Sequence, residues 1–421
     1  MGAGTAQRGA CLLISGKVRK NMEFVVFAGV LLLLFIFMIV QELIQTKNQE
    51  KLFKKYLREN YGKEPPKEYS LERFARLGSY LERHKEEKQL DDITWNDLGM
   101  DEVFRRIDRT YSAAGEEYLY YTLRNISCGR EALEHLEEVV NWLQEQENIK
   151  VRIQLLMKRL GHLGKYSLYD YLDNLDYLGE RSNRKIVLGN LLYLPFLLLL
   201  FVQPAMGTIG IVLCMLWHIM TYFREKKVIE PYIISFAYVL RLIDVCEELE
   251  KQKIPVYRRE LDELREVLKS LRELRRGAYW VMAGNQGKIG GNPLDILADY
   301  LRMILHLDIF QFNRMLEKLR KKTGQVETML AITGYLDMAI SVGGFRKSLE
   351  GYCIPKLEED TEKAFLHMKK GWHPLLSQPV KNSIRADRGI LLTGSNASGK
   401  STFLKMAVSY THLTLPTILR V

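Results

Sequence analysis

A chain of 421 residues, 47% hydrophobic and 27% charged, is long enough for two or three domains and too apolar to be a disordered tether. Its formal charge of +10 suits nucleic acid or anionic lipid but chooses neither, because much of the charge flanks apolar runs. Five cysteines (Cys11, Cys128, Cys214, Cys246, Cys353) with no C-x-x-C pair, and eight histidines with no H-x-x-x-H pair, speak against a zinc site or disulfide framework and fit a reducing compartment.

Residues 1–23 form an N-terminal tail. Phe24 to Val40 is an uninterrupted apolar run, at the short end of the roughly 17–25 residues that cross a bilayer. A signal peptide is the alternative, but no small-x-small cleavage site follows, and the polar, Lys-rich stretch from Gln41 to Lys55 resembles a stop-transfer flank. Residues 41–92 are a linker with helical character.

From Ile93 to about Asp176 the pattern is helical, within a first helical block spanning 93–185. Leu133, Leu136, Val139, Val140 and Leu143 fall on one helical face, with Glu134, Glu137, Glu138 and Glu145 mostly opposite. Ile186 to Phe223 is about twice the length of one span and is interrupted by Gln203, Pro204 and Gly207, which predicts a transmembrane helical hairpin over 186–223; a buried hairpin in a soluble core is the alternative. Arg181, Arg184 and Lys185 precede it and Arg224, Lys226 and Lys227 follow, so the positive-inside rule places both ends in the cytoplasm. Lys17, Arg19 and Lys20, before the first run, pull against the orientation that three spans require. A true start at Met22 would remove the conflict, and N-terminal sequencing of the native protein tests it.

A second helical block covers 224–370. Leu261, Leu264, Leu268, Leu271 and Leu274 form a stripe that suits either a lever or coiled-coil arm or plain core packing. Gly284 to Pro293, with four glycines, reads as a loop. The pattern changes at Gly371-Trp-His-Pro, a turn in which His373 is a turn residue rather than a metal ligand. The apolar run from Gly389 to Thr393 predicts a buried strand, with a helix beginning near Gly399. Residues 371–408 therefore read as the start of an α/β P-loop domain on a mainly α protein.

Gly394-Ser-Asn-Ala-Ser-Gly-Lys-Ser401 matches G-x-x-x-x-G-K-[ST] in the strand-to-helix context its chemistry requires. Glycines let the backbone wrap a phosphate, and successive amides with the helix N-terminus make an anion nest. The expected ATP-binding residues are Gly394, Ser395, Asn396, Ala397, Ser398, Gly399, Lys400, Ser401 and Thr402. Lys400 is assigned to the β- and γ-phosphates, the Ser401 hydroxyl to Mg²⁺ and Thr402 to the α-phosphate side. Hydrolysis also needs an acidic strand end, and none follows in the few residues after Lys400, so the catalytic residues are not assigned and the chain as written is expected to be inactive in hydrolysis.

Leu392 to Lys405 resembles the P-loop of MutS-type ATPases, with Asn396 the telling position. Asp108-Arg-Thr-Tyr-Ser-Ala-Ala-Gly115 with Leu119 and Leu123 resembles the T-x-T-x-x-G opening of the family's helical core. Tyr335-Leu-Asp-Met-Ala-Ile340 with Tyr352-Cys-Ile-Pro355 resembles the end of its lever region. Gly371-Trp-His-Pro-Leu375 with Val380-Lys-Asn-Ser-Ile384 resembles the elements before its P-loop. The resemblance covers Ile93 to Asp176 and Phe223 to Val408. It implies a homodimer paired through ATPase heads, a composite ATP and Mg²⁺ site, and levers driven by ATP.

Departures limit that resemblance. The mismatch-reading domain is absent, and the F-x-E tripeptide Phe223-Arg-Glu225 ends a predicted span, where it cannot wedge into a base stack. The hairpin instead resembles the membrane-bound MutS-like branch. Residues 409–421 abandon the family pattern and are expected to be a non-native tail on a fragment cut after the P-loop. The resulting expectation is a multi-pass membrane protein with its ATPase domain in the cytoplasm. DNA is the family partner, with Arg258, Arg259, Arg272, Arg275 and Arg276 as candidate phosphate contacts. A membrane ATPase module that remodels a protein without touching DNA, and an inert scaffold, are the alternatives.

Overall fold

The computed structural model describes residues 36–41, 44–63, 69, 71–86, 89–125, 129–163, 167–275, 293–354, 365–376, 378–396 and 398–412. Among the described residues helix accounts for 76% and strand for 4%, so the protein is mainly α. Most of the first apolar run, the loop from Gly284 to Asn292, Arg276 and the end of the tail lie outside the described residues. Ile36, Phe37, Met38 and Val40, at the end of that run, are helical or flank helix and are exposed.

The core is assembled around local caps that fix where each helix begins. After α1 (44–60) and α2 (Leu71–Arg83), Asp91 accepts the Thr94 amide at 2.6 Å and starts α3 (Asp92–Leu98). Gly99, at φ 69°, ends α3 and starts α4 (Met100–Ile107). Ser112 caps α5 (Ala113–Arg124) by accepting the Gly115 amide at 3.1 Å. Helices α6 (Arg130–Glu145) and α7 (Glu147–Leu160) follow, and the predicted stripe on α6 is the face that is buried.

Helix α8 (Leu168–Asp173), with a Ser167–Asp170 capping box, leads to α9 (Arg184–Leu191) and α10 (Tyr193–Val202). Gln203 breaks the chain direction, and Pro204 opens α11 (Pro204–Glu250). Gly207 is not part of the break, as the sequence suggested. It sits inside α11, where an added Cβ would come within 2.6 Å of the Leu200 backbone, so its role is to let the two limbs approach.

Two helical stretches, Arg184–Val202 and Pro204–Glu250, are long and apolar enough to cross a membrane and little buried, only 6% for the most apolar window of the first. Thr323–Ser348 passes the same test of length and composition but is 83% buried, which makes it a core helix. The second limb of the hairpin does not stop at Phe223. Helix α11 continues through Pro231 to Glu250, about 70 Å at ~1.5 Å per residue. Its first part exposes Leu213, Leu216, Trp217 and Met220, and its last part buries Phe236, Leu242, Val245 and Leu249. One rod thus joins the apolar hairpin to the core.

Helix α12 (Arg258–Leu271) settles the ambiguity of the leucine stripe. Leu261, Leu264, Leu268, Leu271 and Leu274 are buried, and α12 packs on α11 and on the central helix, so the stripe is core rather than a free arm. Helices α13 (Pro293–Leu305) and α14 (Leu307–Arg320) precede the central α15 (Thr323–Ser348), which packs on α5, α6, α7, α11 and α12. The approach to α5 is tight: a Cβ at Gly334 would stand 2.6 Å from the Ala114 carbonyl oxygen.

Buried polar groups tie this core together. Asp337 of α15 accepts the amides of Tyr111 (3.0 Å) and Ser112 (2.8 Å) and the Ser112 hydroxyl (2.6 Å). Glu116 accepts from Arg73 at 2.6 Å and Arg76 at 2.8 Å, while Asp108 accepts the Thr110 amide at 2.9 Å and the Tyr69 hydroxyl. Arg346 reaches both carboxylate oxygens of Glu137 at 3.0 and 2.8 Å.

Glu117 supplies a pH test. Burial pushes its carboxyl up to about 8 from 4.5, against the lowering effect of the Ser167 hydroxyl, which donates to it at 2.8 Å. Between those values the folded chain holds a proton that the unfolded chain has released. This contribution to stability is therefore complete below about 4.5, falls by at most ~1.4 kcal/mol per pH unit, and is gone above about 8. Glu117→Gln is expected to flatten that slope in urea denaturation at pH 5, 6.5 and 8; parallel profiles for variant and wild type would count against it.

After the core, β1 (Leu366–Gly371) pairs antiparallel with β2 (Asn382–Ala386), Met368 opposite Ile384, with a bulge before Gly371. The buried strand expected at 389–393 does not form. Residues 389–393 carry no strand, and Ile390, Leu391 and Leu392 are exposed. A buried strand needs paired neighbours, and the β1–β2 hairpin is the one sheet among the described residues. The following helix does form, as α16 (Lys400–His412).

Candidate functional site

The loop from Gly394 to Gly399 is shaped by its two glycines and by one lysine. Gly399 has φ 85°, a left-handed turn that admits the chain to α16 without a Cβ penalty. The helix's first hydrogen bond is from the Phe403 amide to the Gly399 carbonyl at 2.9 Å. The amides of Lys400, Ser401 and Thr402 come before it, where a helix offers no acceptor, so they and the helix dipole form a positive end.

Inside the turn, the Ser398 amide donates to the Ser395 carbonyl at 3.4 Å. The Lys400 ammonium folds back and donates to the carbonyls of Gly394 (2.6 Å) and Ser395 (2.5 Å). A Cβ at Gly394 would stand 2.9 Å from the Ser398 hydroxyl, so the closed loop needs glycine there. The donor set fits a polyphosphate: the Lys400 ammonium, three helix-end amides, and the hydroxyls of Ser398 and Ser401, both on exposed residues. Ser395 and Asn396 are also exposed and Thr402 is half-buried, whereas Ala397 lies outside the described residues. Ser401 offers the oxygen that Mg²⁺ would take. Among the described residues, no group of three His, Cys, Asp or Glu side chains gathers as a metal site.

Helix α16 is seated on the helical core through α3, with Met406 and Ala407 buried. The Lys405 ammonium lies 3.8 Å from where a Cβ would stand on Gly99. His373 is buried and held below the usual imidazole range, by burial first and by the Lys405 charge second. Its Nδ1 accepts the Leu375 amide at 3.4 Å and its carbonyl accepts the Leu376 amide at 3.1 Å, the bonding of a turn residue.

The segments Asp108–Gly115 and Tyr335–Ile340, far apart in sequence, meet through Ser112 and Asp337 in a buried structural joint. Sequence reasoning singled out both segments but not their bond. It missed Tyr69, Arg73, Arg76 and Glu116, whose only sequence signal was helical spacing between Arg73 and Arg76. Of the proposed phosphate-contacting arginines, Arg258 faces Asp262 at 3.8 Å, and Arg259 and Arg272 are exposed. In the F-x-E tripeptide, Phe223 is exposed and Glu225 pairs with Arg181 at 2.5 Å. Compared with protein-family models and with curated proteins, the chain matches none.

Proposed function

We propose that this chain belongs to a membrane-anchored, MutS-like ATP-binding protein that, when complete, hydrolyses ATP and moves helical levers at the cytoplasmic face. The observation that carries the reading is the loop around Lys400, whose closed turn, helix-end amides and inward ammonium suit a nucleotide's phosphates. Ser401 would hold Mg²⁺ together with the nucleotide's own oxygens. The hairpin of α9, α10 and the first part of α11, with its exposed apolar surface, supports a multi-pass anchor. Continuity of α11 offers a mechanical link between anchor and core.

On this reading the partners are ATP, the lipid bilayer, a second copy that completes each nucleotide site, and DNA held by the helical region. A second reading, action on a protein partner without DNA, is favoured by one observation. The charged face of α12 is internally paired: Arg265 reaches Glu250 at 2.7 Å and Asp262 at 2.9 Å, and Lys269 reaches Glu266 at 2.6 Å. Such a face offers phosphates less free cation than its arginine count suggests.

The test is direct. The complete protein, purified in mild detergent, is assayed for Mg²⁺-dependent ATP binding and hydrolysis beside Lys400→Ala, and for DNA binding across a salt series. Loss of both ATP activities in the variant alone supports the reading, and a wild type that binds no ATP overturns it. Salt-dependent DNA binding favours the first partner class; no binding even at low salt favours the second.

A further inference from the structure

We infer that the cavity between the apolar hairpin and the helical core is a headgroup site for an anionic phospholipid, an inference that rests on the membrane-spanning reading of the hairpin. The cavity, about 880 Å³, is of the size that holds small ligands. Its walls come from three parts of the chain: the start of α9, the middle of α11, and α14 of the core.

Position comes first. Lys185 lies in the first turn of α9 and Arg224 directly follows the apolar run that ends at Phe223, so the cavity lies at the depth where lipid phosphates meet a span with cytoplasmic ends. On the bilayer side its wall is Leu188, Leu192 and Trp217, all exposed and continuous with the apolar surface of the hairpin. Acyl chains can therefore lie along the hairpin while the headgroup enters. An amphipathic ligand satisfies both ends; a free ion satisfies one.

Charge comes second. Arg181 is committed to Glu225 at 2.5 Å and to the Asn313 side-chain oxygen at 3.2 Å. Lys185 and Arg224 line the same cavity, are exposed, and have no carboxylate partner among the described residues. Glu180 also lines it, so the lining sums to one net positive charge, concentrated on two unpaired cations at the mouth. A monoanionic phosphodiester complements that arrangement.

The floor is polar but neutral. His306 is 6% exposed, its Nε2 lies 3.3 Å from the Thr221 hydroxyl, and its Nδ1 has no hydrogen-bond partner among the described residues. Burial, and then the nearby His218, hold the His306 imidazole down to about 4, so it stays uncharged at neutral pH. Cationic attraction is thus confined to the mouth, where a phosphate would sit.

The experiment uses the full chain in lipid nanodiscs and in mild detergent, with dioleoyl-phosphatidylglycerol, dioleoyl-phosphatidylcholine and glycerol phosphate as probes and retained lipid read by native mass spectrometry. The expected result is at least a ten-fold preference for phosphatidylglycerol over phosphatidylcholine, with glycerol phosphate bound far more weakly. The double reversal Lys185→Glu/Arg224→Glu should abolish the preference. Arg184→Glu/Lys227→Glu, equal in charge and depth but outside the cavity, should keep it. Equal retention of the two lipids, equal loss in both double variants, or glycerol phosphate binding as tightly as the lipid would each overturn the site. Resistance to alkaline carbonate extraction, measured on the same membranes, separates the cases: a protein that resists yet shows no preference loses only the lipid site, while one that is stripped off loses the membrane reading too.

Discussion

Asp337→Ala is expected to destabilise the helical core by about 3–5 kcal/mol, enough to unfold a core of ordinary stability at moderate temperature. The carboxylate is 1% exposed and accepts three donors from the entrance of α5: the Tyr111 amide, the Ser112 amide and the Ser112 hydroxyl. Alanine would leave those donors in a space with no water to replace the oxygens, and each buried unsatisfied group costs about 1–3 kcal/mol. Ser112 also caps α5, so the loss propagates to the helix start. Asp337→Asn keeps one acceptor oxygen but turns an NH₂ toward donors, and should cost somewhat less.

The same joint predicts coupling. A Cβ on Gly115 would fall 2.4 Å from Asp337 Oδ2, so Gly115→Ala strains the carboxylate that Asp337→Ala removes. The double variant should therefore be less destabilised than the sum of the singles. Urea denaturation of the detergent-solubilised chain, followed by far-ultraviolet circular dichroism, measures all four proteins. A cost below 1 kcal/mol for Asp337→Ala would falsify the account of this joint.

That joint marks the limit of what the sequence discloses. The α6 stripe could be read from spacing alone, because Leu133, Leu136, Val139, Val140 and Leu143 repeat at the helical period and burial follows. The turn at Gln203 and Pro204 and the helix start beside Gly399 were equally local, since each depends on backbone preferences of a few residues. The bond between Ser112 and Asp337 was not local. An aspartate in the middle of an apolar helix declares a buried need for donors but not which distant donors meet it.

One reading failed and one stayed open between two alternatives, for the same physical reason. Residues 389–393 have the composition of a buried strand, but a strand takes its hydrogen bonds from neighbours, and here Leu391 is 88% exposed. The leucines of α12 have the period of an arm, and only packing against α11 and α15 shows that they are core. In both, composition fixes which face wants burial while tertiary context decides whether it is buried. The turn of the candidate site was the more legible part because its backbone geometry is local. Gly394, Gly399, Lys400 and Ser401 act within one turn, and the return of the Lys400 ammonium onto the loop's own carbonyls was the one detail that spacing could not supply.

That detail sets the second large effect. On the proposed ATP-binding reading, Lys400→Ala is expected to weaken ATP binding by the complete protein at least ~10-fold, because it removes the ammonium from the phosphates. The proposed charge-assisted contact between the ammonium and the β- and γ-phosphates would be worth about 1.5–3 kcal/mol. Set against it is the clamp of the ammonium on the Gly394 and Ser395 carbonyls at 2.6 and 2.5 Å, which holds the turn closed in the free chain and which nucleotide would have to release. On that reading the loop would trade its internal bonds for phosphate bonds. Lys400→Arg should not rescue binding, since a planar guanidinium needs room the closed turn does not have. Equilibrium titration with a fluorescent ATP analogue, with and without Mg²⁺, reads the effect. The circular dichroism of both variants should match wild type, because Lys400 begins α16 and Met406 and Ala407, which seat the helix, are untouched. Wild-type affinity in Lys400→Ala would mean that the helix-end amides alone carry the phosphates.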